Sequence, residues 1–204
     1  MVATDFVIII CLMLSAFFSG MEIAFISSDR IFLEIEKNQG NIIARILTRI
    51  TETPSKFIAA MLVGNNISLV VYGIFMGDRI ISLLYPGADE ANLSLTILFY
   101  QTLISTVIIL LTAEFLPKVF FQLYANKLIK LFIIPAATFY YLFYPITFFV
   151  IKITDGVLLL FFKTAAEVAE ISFSKGELGD YIVKQVESVS DKEKLDSEIQ
   201  IFQN

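Results

Sequence analysis

A hydroxyl, a glycine and a carboxylate interrupt an apolar run near the start of the chain. Within residues 17–22 they are Ser19, Gly20 and Glu22. A carboxylate in hydrocarbon is costly unless it faces a partner, a water-filled cavity or an ion, so Glu22 is a candidate functional residue. If the apolar run instead ends near Glu22, the carboxylate lies among lipid headgroups and needs no function. This segment by itself leaves both interpretations open.

Two further segments carry oxygen atoms of the same kind. Asn65 and Asn66 are adjacent near the middle of a second apolar run, where their amides need hydrogen-bond partners. Glu114 follows a third apolar run and precedes Pro117, which has no amide hydrogen for the carbonyl of Ala113. We expect a kink there, with an unpaired backbone oxygen beside Glu114. Amides that only join neighbouring helices would explain the second segment equally well.

The residue types that the chain lacks limit the metal sites and catalytic groups that it can contain. The chain of 204 residues has no His, and its single cysteine, Cys11, lies in the first apolar run without a partner. The commonest transition-metal ligand and the usual general base are therefore absent, and so are a disulfide framework and a thiolate metal cluster. Because no pair of nucleophile and base is evident, we predict that the chain is not an enzyme.

Composition predicts an all-α membrane protein with three transmembrane helices. Hydrophobic residues make up 57% of the chain, the mean hydropathy is +0.77, and the apolar residues form long runs. About 20 such residues cross a bilayer, and the three predicted spans cover residues 6–28, 57–77 and 91–113. A fourth run, residues 131–151, contains two prolines. We interpret it as helices embedded in the cytoplasmic interface, with a fourth span as the alternative.

The placement of charges predicts the topology. Residues 29–56 carry five basic and four acidic residues, with isoleucines at roughly helical spacing, as in an amphipathic helix that lies along the membrane interface. By the positive-inside rule this juxtamembrane segment is cytoplasmic, so the N-terminus lies outside and the C-terminus lies in the cytoplasm.

The end of the chain differs in composition from the rest. Residues 164–204 contain nine acidic residues and four lysines, which accounts for the net charge of −5. We predict a transmembrane domain over residues 1–163 and an acidic, cytoplasmic helical linker over residues 164–204, which resembles the start of a connection to a further domain. The chain has no basic patch of the kind that binds nucleic acid, so we expect no nucleic-acid partner.

Three segments together resemble one family of membrane proteins. They are residues 18–24 (FSGMEIA), residues 63–66 (VGNN) and residues 113–118 (AEFLPK). In this order, on three successive predicted spans, they resemble the transmembrane domain of the CorC/cyclin M (CNNM) family of magnesium transporters, which includes haemolysin-like proteins and members associated with gliding motility. The resemblance covers about residues 5–190. The family often has a glycine where this chain has Ala113, a local departure from its pattern.

The resemblance implies a homodimer in which each protomer binds a dehydrated Mg²⁺ within the membrane. The family's metal-binding positions correspond here to residues that carry oxygen ligands: Ser19, Gly20, Glu22, Asn65, Asn66 and Glu114. Such oxygens suit Mg²⁺, a hard cation that takes six of them at about 2.1 Å. In the family the linker leads to a pair of CBS domains that binds ATP, and those domains are absent from this sequence.

The predicted function is therefore Mg²⁺ transport across a bacterial inner membrane, with efflux as the direction and Na⁺ as the candidate counter-ion. Direction and counter-ion come from the resemblance alone. The alternative is a non-transporting membrane component associated with gliding motility or protein secretion. Acids and amides at membrane depth favour the transporter, because a scaffold does not need them there.

Overall fold

The computed structural model describes residues 2–86 and 94–162, and almost all of these residues are helical. In chain order the helices are α1 (Val2–Ser27), α2 (Arg30–Lys37), α3 (Ile42–Glu52), α4 (Pro54–Leu84), α5 (Leu95–Ile109), a π-helix (Leu110–Phe115), α6 (Leu116–Leu123) and α7 (Ala125–Phe162). No strand occurs in either described range, and the predicted all-α fold is confirmed. The predicted linker, residues 164–204, lies outside the described residues, so the domain boundary stays a prediction.

Four helical segments are long and apolar enough to cross a membrane, where the sequence predicted three. They are Ala3–Ser27, Pro54–Leu84, Leu95–Leu123 and Ala125–Val157. The last one contains the run that we interpreted as interfacial helices, and it continues as one helix through Pro135 and Pro145. Each proline removes one backbone hydrogen bond, but unwinding the helix in lipid would leave more polar groups unpaired. By length and composition, α7 therefore fits the alternative of a fourth span.

Two short helices connect α1 to α4, where the sequence predicted one amphipathic segment. Asp29 and Asn41 cap α2 and α3 by accepting hydrogen bonds from backbone N–H groups in the first turn of each helix. Between the two helices Gly40 has a φ of +68°, a left-handed conformation that glycine adopts without strain. Because the chain turns there, the isoleucines do not share one face: Ile35 is exposed and Ile50 is buried.

Buried apolar side chains form two clusters. The large cluster includes Phe18 and Phe57 and joins α1 to α2, α3, α4 and α7. The second, which we call the Tyr72 cluster, consists of the buried residues Ile8, Cys11 and Tyr72, with partly buried side chains of α1, α4 and α5 packed around them. The stretch of α1 between the two clusters carries the first polar residue of the candidate site.

Candidate cation site

One face of α1 carries three polar side chains. Ser15, Ser19 and Glu22 are separated by four and then three residues, so they follow one another along the same side of the helix. Both serines are fully buried, and Glu22 is half-buried. Helix α1 packs against α4, the π-helix and α6. The helices that carry the three sequence motifs are therefore neighbours in the structure.

Ser15 connects this face to α4. Its Oγ donates a hydrogen bond of 2.6 Å to Oδ1 of Asn65, whose residue is 8% exposed. Sequence reasoning identified Asn65 as a candidate ligand but did not identify Ser15. The available signal was the four-residue spacing between Ser15 and Ser19, which puts the two hydroxyls on one face of a helix.

The Ser19 hydroxyl is buried without a partner. The residue is fully buried, and its Oγ has no hydrogen-bond partner among the described residues. Most buried polar side-chain atoms in proteins have a partner, and an exception requires an explanation such as an ion, a water molecule or a functional role. The Ser19 hydroxyl is therefore a buried polar group of α1 that is available to a ligand.

The second predicted amide ligand, Asn66, lies on a different side of α4. Its side chain is exposed, and its Nδ2 donates a hydrogen bond of 2.9 Å to the backbone oxygen of Leu62, one turn earlier. Adjacent helical residues are rotated by about 100° around the helix axis, so Asn65 and Asn66 cannot both face α1. The structure does not bring Asn66 to Ser19 within one protomer.

Two motif glycines allow the helices to approach closely. A Cβ atom on Gly20 would lie 2.6 Å from the ring of Phe121 in α6. A Cβ atom on Gly64 would lie 2.8 Å from the rings of Phe18 and Phe143. Both distances are too short for carbon atoms in contact, which are about 3.5–4.0 Å apart. Gly20, predicted as a site residue, thus also has a packing role that its place in the motif did not reveal.

The segment before Pro117 is a π-helix, where the sequence predicted a kink with a free oxygen at Ala113. The N–H of Leu116 bonds to the carbonyl of Leu111, five residues earlier, and so it is not used by Thr112. The next donor that a π-helix could offer Thr112 is residue 117, which is proline and has no N–H. The carbonyl of Thr112 therefore has no helical donor, and it is the free oxygen that this bonding pattern identifies.

Three charged side chains lie on the helices of the candidate site: Glu22 on α1, Glu114 in the π-helix and Lys118 in α6. Glu114 and Glu22 are both half-buried, and Lys118 in α6 is close enough to act electrostatically on the Glu22 carboxylate. Two carboxylates and one ammonium group give a formal sum of −1. The described part of the chain has no group of three or more His, Cys, Asp or Glu residues that could hold a metal. A cation here would therefore also depend on hydroxyl, amide and backbone oxygens.

Comparison with known proteins identifies the family. Residues 6–194 match the family described as the cyclin M transmembrane N-terminal domain. Over 117 residues the chain is 31% identical to the UPF0053 inner membrane protein YfjD of Escherichia coli strain K12, a match that covers 56% of this chain and 24% of that protein. It is also 31% identical over 124 residues to a UPF0053 protein of Haemophilus influenzae strain Rd, with coverage of 59% and 27%.

The matched part spans about a quarter of the length of each of these two relatives. The family match is more extensive, since it covers most of the chain and contains all three motifs. It also agrees with a fold made of helices of membrane-spanning length. The chain is a membrane protein and belongs to the cyclin M transmembrane domain family.

Proposed function

We propose that this chain is the membrane domain of a magnesium transporter and binds Mg²⁺ between α1, α4 and the π-helix. One observation carries the proposal: the Ser19 hydroxyl is fully buried and has no hydrogen-bond partner among the described residues. Burying such a group unpaired costs about 1–3 kcal/mol, a cost that a bound cation would offset. Membership in the cyclin M family supports the same function.

The helices that pack against α1 carry oxygen atoms of the kinds that Mg²⁺ prefers. Ser19 offers a hydroxyl, Asn65 an amide oxygen and Glu114 a carboxylate, and we add the Thr112 carbonyl, which has no helical donor. The hydrogen bond from Ser15 keeps the oxygen of the Asn65 amide, rather than its nitrogen, directed toward α1. An amide oxygen can accept this hydrogen bond and still bind a cation, because it has two lone pairs.

Charge compensation gives a role to the two carboxylates. A divalent ion without counter-charges is costly inside a membrane, and so are two carboxylates without a cation. Glu22 and Glu114 together balance the charge of Mg²⁺. When no ion is bound, Lys118 offsets part of their charge, since it acts on Glu22. The two carboxylates would thus be balanced by Mg²⁺ when the ion is bound and partly by Lys118 when it is released.

We extend the proposal to a homodimer in a bacterial inner membrane that exports Mg²⁺, with Na⁺ as the counter-ion. Direction and counter-ion follow the family resemblance. The dimer has support from one side of α4, where exposed residues recur every three or four positions: Leu62, Asn66, Val70 and Gly73. An amide and a glycine in such a stripe allow interhelical hydrogen bonds and close helix approach. Asn66, which does not face Ser19, would then face a second copy of the chain.

A Mg²⁺ titration of thermal unfolding tests the ion site. A ligand that binds only the folded state stabilises it by about 2.7 kcal/mol at a concentration one hundred times its Kd. We expect a Mg²⁺-dependent rise in Tm for the wild type, and for Ser19→Ala the same rise only at tenfold or more higher Mg²⁺. Ser28→Ala is the matched control, because Ser28 is also a buried serine of this region but donates to the backbone oxygen of Ala24 at 2.6 Å.

The titration also separates the transporter from the non-transporting alternative. Equal Mg²⁺ dependence of wild type and Ser19→Ala would contradict the assignment of Ser19. A membrane component without an ion site predicts that Mg²⁺ leaves the Tm of all three proteins unchanged. Uptake or release of Mg²⁺ by proteoliposomes that contain the chain then tests transport itself.

A further inference from the structure

An ion pair joins α1 and α4 at the end of the bundle where α1 begins and α4 ends. Nε of Arg79 lies 2.7 Å from Oδ1 of Asp5, and Nη2 of Arg79 donates a hydrogen bond of 3.3 Å to Oδ2. Two parallel contacts make a bidentate pair, which is a strong and directional form of the arginine–carboxylate interaction. The Arg79 side chain is only 21% exposed. The pair therefore holds the first turns of α1 against the last turns of α4.

The Tyr72 cluster lies next to this pair, farther into the bundle. Ile8 follows Asp5 by three residues on α1, and Tyr72 precedes Arg79 by seven residues on α4, so pair and cluster occupy the same faces of the two helices. Tyr72 is fully buried, and its hydroxyl donates a hydrogen bond of 3.4 Å to the backbone oxygen of Ser105 in α5. The cluster thus fills the space among α1, α4 and α5.

The pair and the cluster separate the candidate cation site from this end of the bundle. Cys11, in the cluster, precedes Ser15 by four residues and lies on the same face of α1. An ion that moves along this face, from Ser15 to the start of α1, meets first the cluster and then the Arg79–Asp5 pair. In the structure the cluster is closed, since Cys11 is 6% exposed and Tyr72 is 0% exposed, and the Asp5–Arg79 pair is formed.

We propose that the Asp5–Arg79 pair and the Tyr72 cluster form a gate, which opens when the pair breaks and the first turns of α1 move away from α4. The predicted topology puts this gate on the outer side of the membrane. The inference rests on the proposed function for the identity of the ion. When the pair breaks, the Asp5 carboxylate loses its guanidinium partner and becomes able to attract a cation that has passed the cluster.

Cys11 reports on this gate, because it is the single cysteine of the chain and lies in the cluster. A cationic methanethiosulfonate reagent reaches it only through water, so its rate of modification measures opening. The purified chain in detergent makes the result independent of topology. We expect Asp5→Asn and Arg79→Gln to be modified at least tenfold faster than wild type, and Arg79→Lys, which keeps the charge but loses the bidentate geometry, at an intermediate rate.

Two further variants sharpen the experiment. Exchange of the two charges in Asp5→Arg/Arg79→Asp restores an ion pair, and we expect its rate to return to within threefold of the wild type. This return excludes general unfolding as the cause of the faster modification. Arg49→Gln is the control, because it removes an arginine of an exposed pair with Glu52 in α3, at 3.9 Å. We expect it to leave the rate unchanged.

The possible results distinguish the gate from the proposed function. Unchanged Cys11 modification in both Asp5→Asn and Arg79→Gln overturns the gate, even if Mg²⁺ stabilises the chain as proposed. Faster modification in the single variants with restoration in the charge exchange supports the gate. If that pattern holds while Mg²⁺ has no effect on Tm, the gate stands and the assignment of Mg²⁺ as its ion fails.

Discussion

Ser15 in α1 and Asn65 in α4 are joined by a hydrogen bond of 2.6 Å between two buried side chains. Neither polar group could be left unpaired in an apolar environment without cost. The bond therefore fixes the depth at which α1 faces α4. It also determines where Ser19, one turn farther along α1, lies relative to Asn65.

The first prediction concerns this hydrogen bond. Ser15→Ala leaves the Asn65 amide without its partner, and we expect a loss of about 0.5–2 kcal/mol in the free energy of unfolding, the range measured for polar contacts between membrane helices. A double-mutant cycle with Asn65→Ala measures the coupling between the two residues. Strictly additive effects of the two substitutions would show that the bond contributes nothing.

The second prediction concerns Gly20. A methyl group there would lie 2.6 Å from the Phe121 ring, so Gly20→Ala should separate α1 from α6 and lower Tm, with a cost of about 1–3 kcal/mol as for other overpacked sites. Phe121→Leu in the same chain should recover part of the loss. Gly156→Ala in α7 is the control, because nothing lies within 4 Å of its added Cβ. Helix propensity favours alanine over glycine at both positions, so equal changes in Tm at Gly20 and Gly156 would contradict the packing role of Gly20.

Much of the fold could be predicted because it depends on long apolar runs. Such runs fix the existence of the spans in lipid, and the motifs within them fix which helices carry polar groups. The number of spans was harder to predict than their existence. Pro135 and Pro145 suggested breaks in what is one continuous helix. In lipid, unwinding the helix would leave many backbone N–H and C=O groups unpaired, which costs more than the two hydrogen bonds lost at the prolines. The rule that proline breaks a helix comes from water-soluble proteins, where water can pair with those groups.

The candidate site could be predicted only in part, because rotation about a helix axis is not visible in a motif. The adjacent Asn65 and Asn66 look equivalent in sequence, yet Asn65 faces α1 and Asn66 is exposed. Ser15 lies outside the motif and was missed, although its spacing to Ser19 was available. The π-helix shifts the free carbonyl to Thr112, a change of bonding pattern that Pro117 alone does not specify.

The third prediction separates the two amides. Asn66 lies on the exposed stripe of α4, so Asn66→Leu should shift the chain from dimer toward monomer and leave the Mg²⁺ dependence of the remaining folded protein unchanged. Asn65→Leu should leave the dimer intact and weaken the Mg²⁺ dependence of Tm. Light scattering with correction for detergent measures the first effect, and the Tm titration measures the second. A chain that is monomeric in the wild type would refute the assignment of Asn66 to a dimer contact.

The last prediction concerns Glu114. Glu114→Gln keeps the size of the side chain but removes one of the two carboxylates that would balance Mg²⁺. Loss of one partner from a buried charge pair costs about 3–5 kcal/mol, so we expect Mg²⁺ affinity to fall by a hundredfold or more. Without Mg²⁺ we expect no loss of stability. The substitution then removes a half-buried charge that has no cation beside it, so the Tm of the ion-free variant should be equal to or higher than that of the ion-free wild type.

This opposite pair of effects is what separates an ion ligand from a structural residue. A glutamate that only supports packing would lower Tm on substitution with and without Mg²⁺ by the same amount. Glu52→Gln serves as the matched control, because Glu52 is exposed and contacts Arg49 only at 3.9 Å, so both the ion-free Tm and the Mg²⁺ response should stay at wild-type values. If Glu114→Gln behaves like Glu52→Gln in the titration, the carboxylate of Glu114 does not bind the ion.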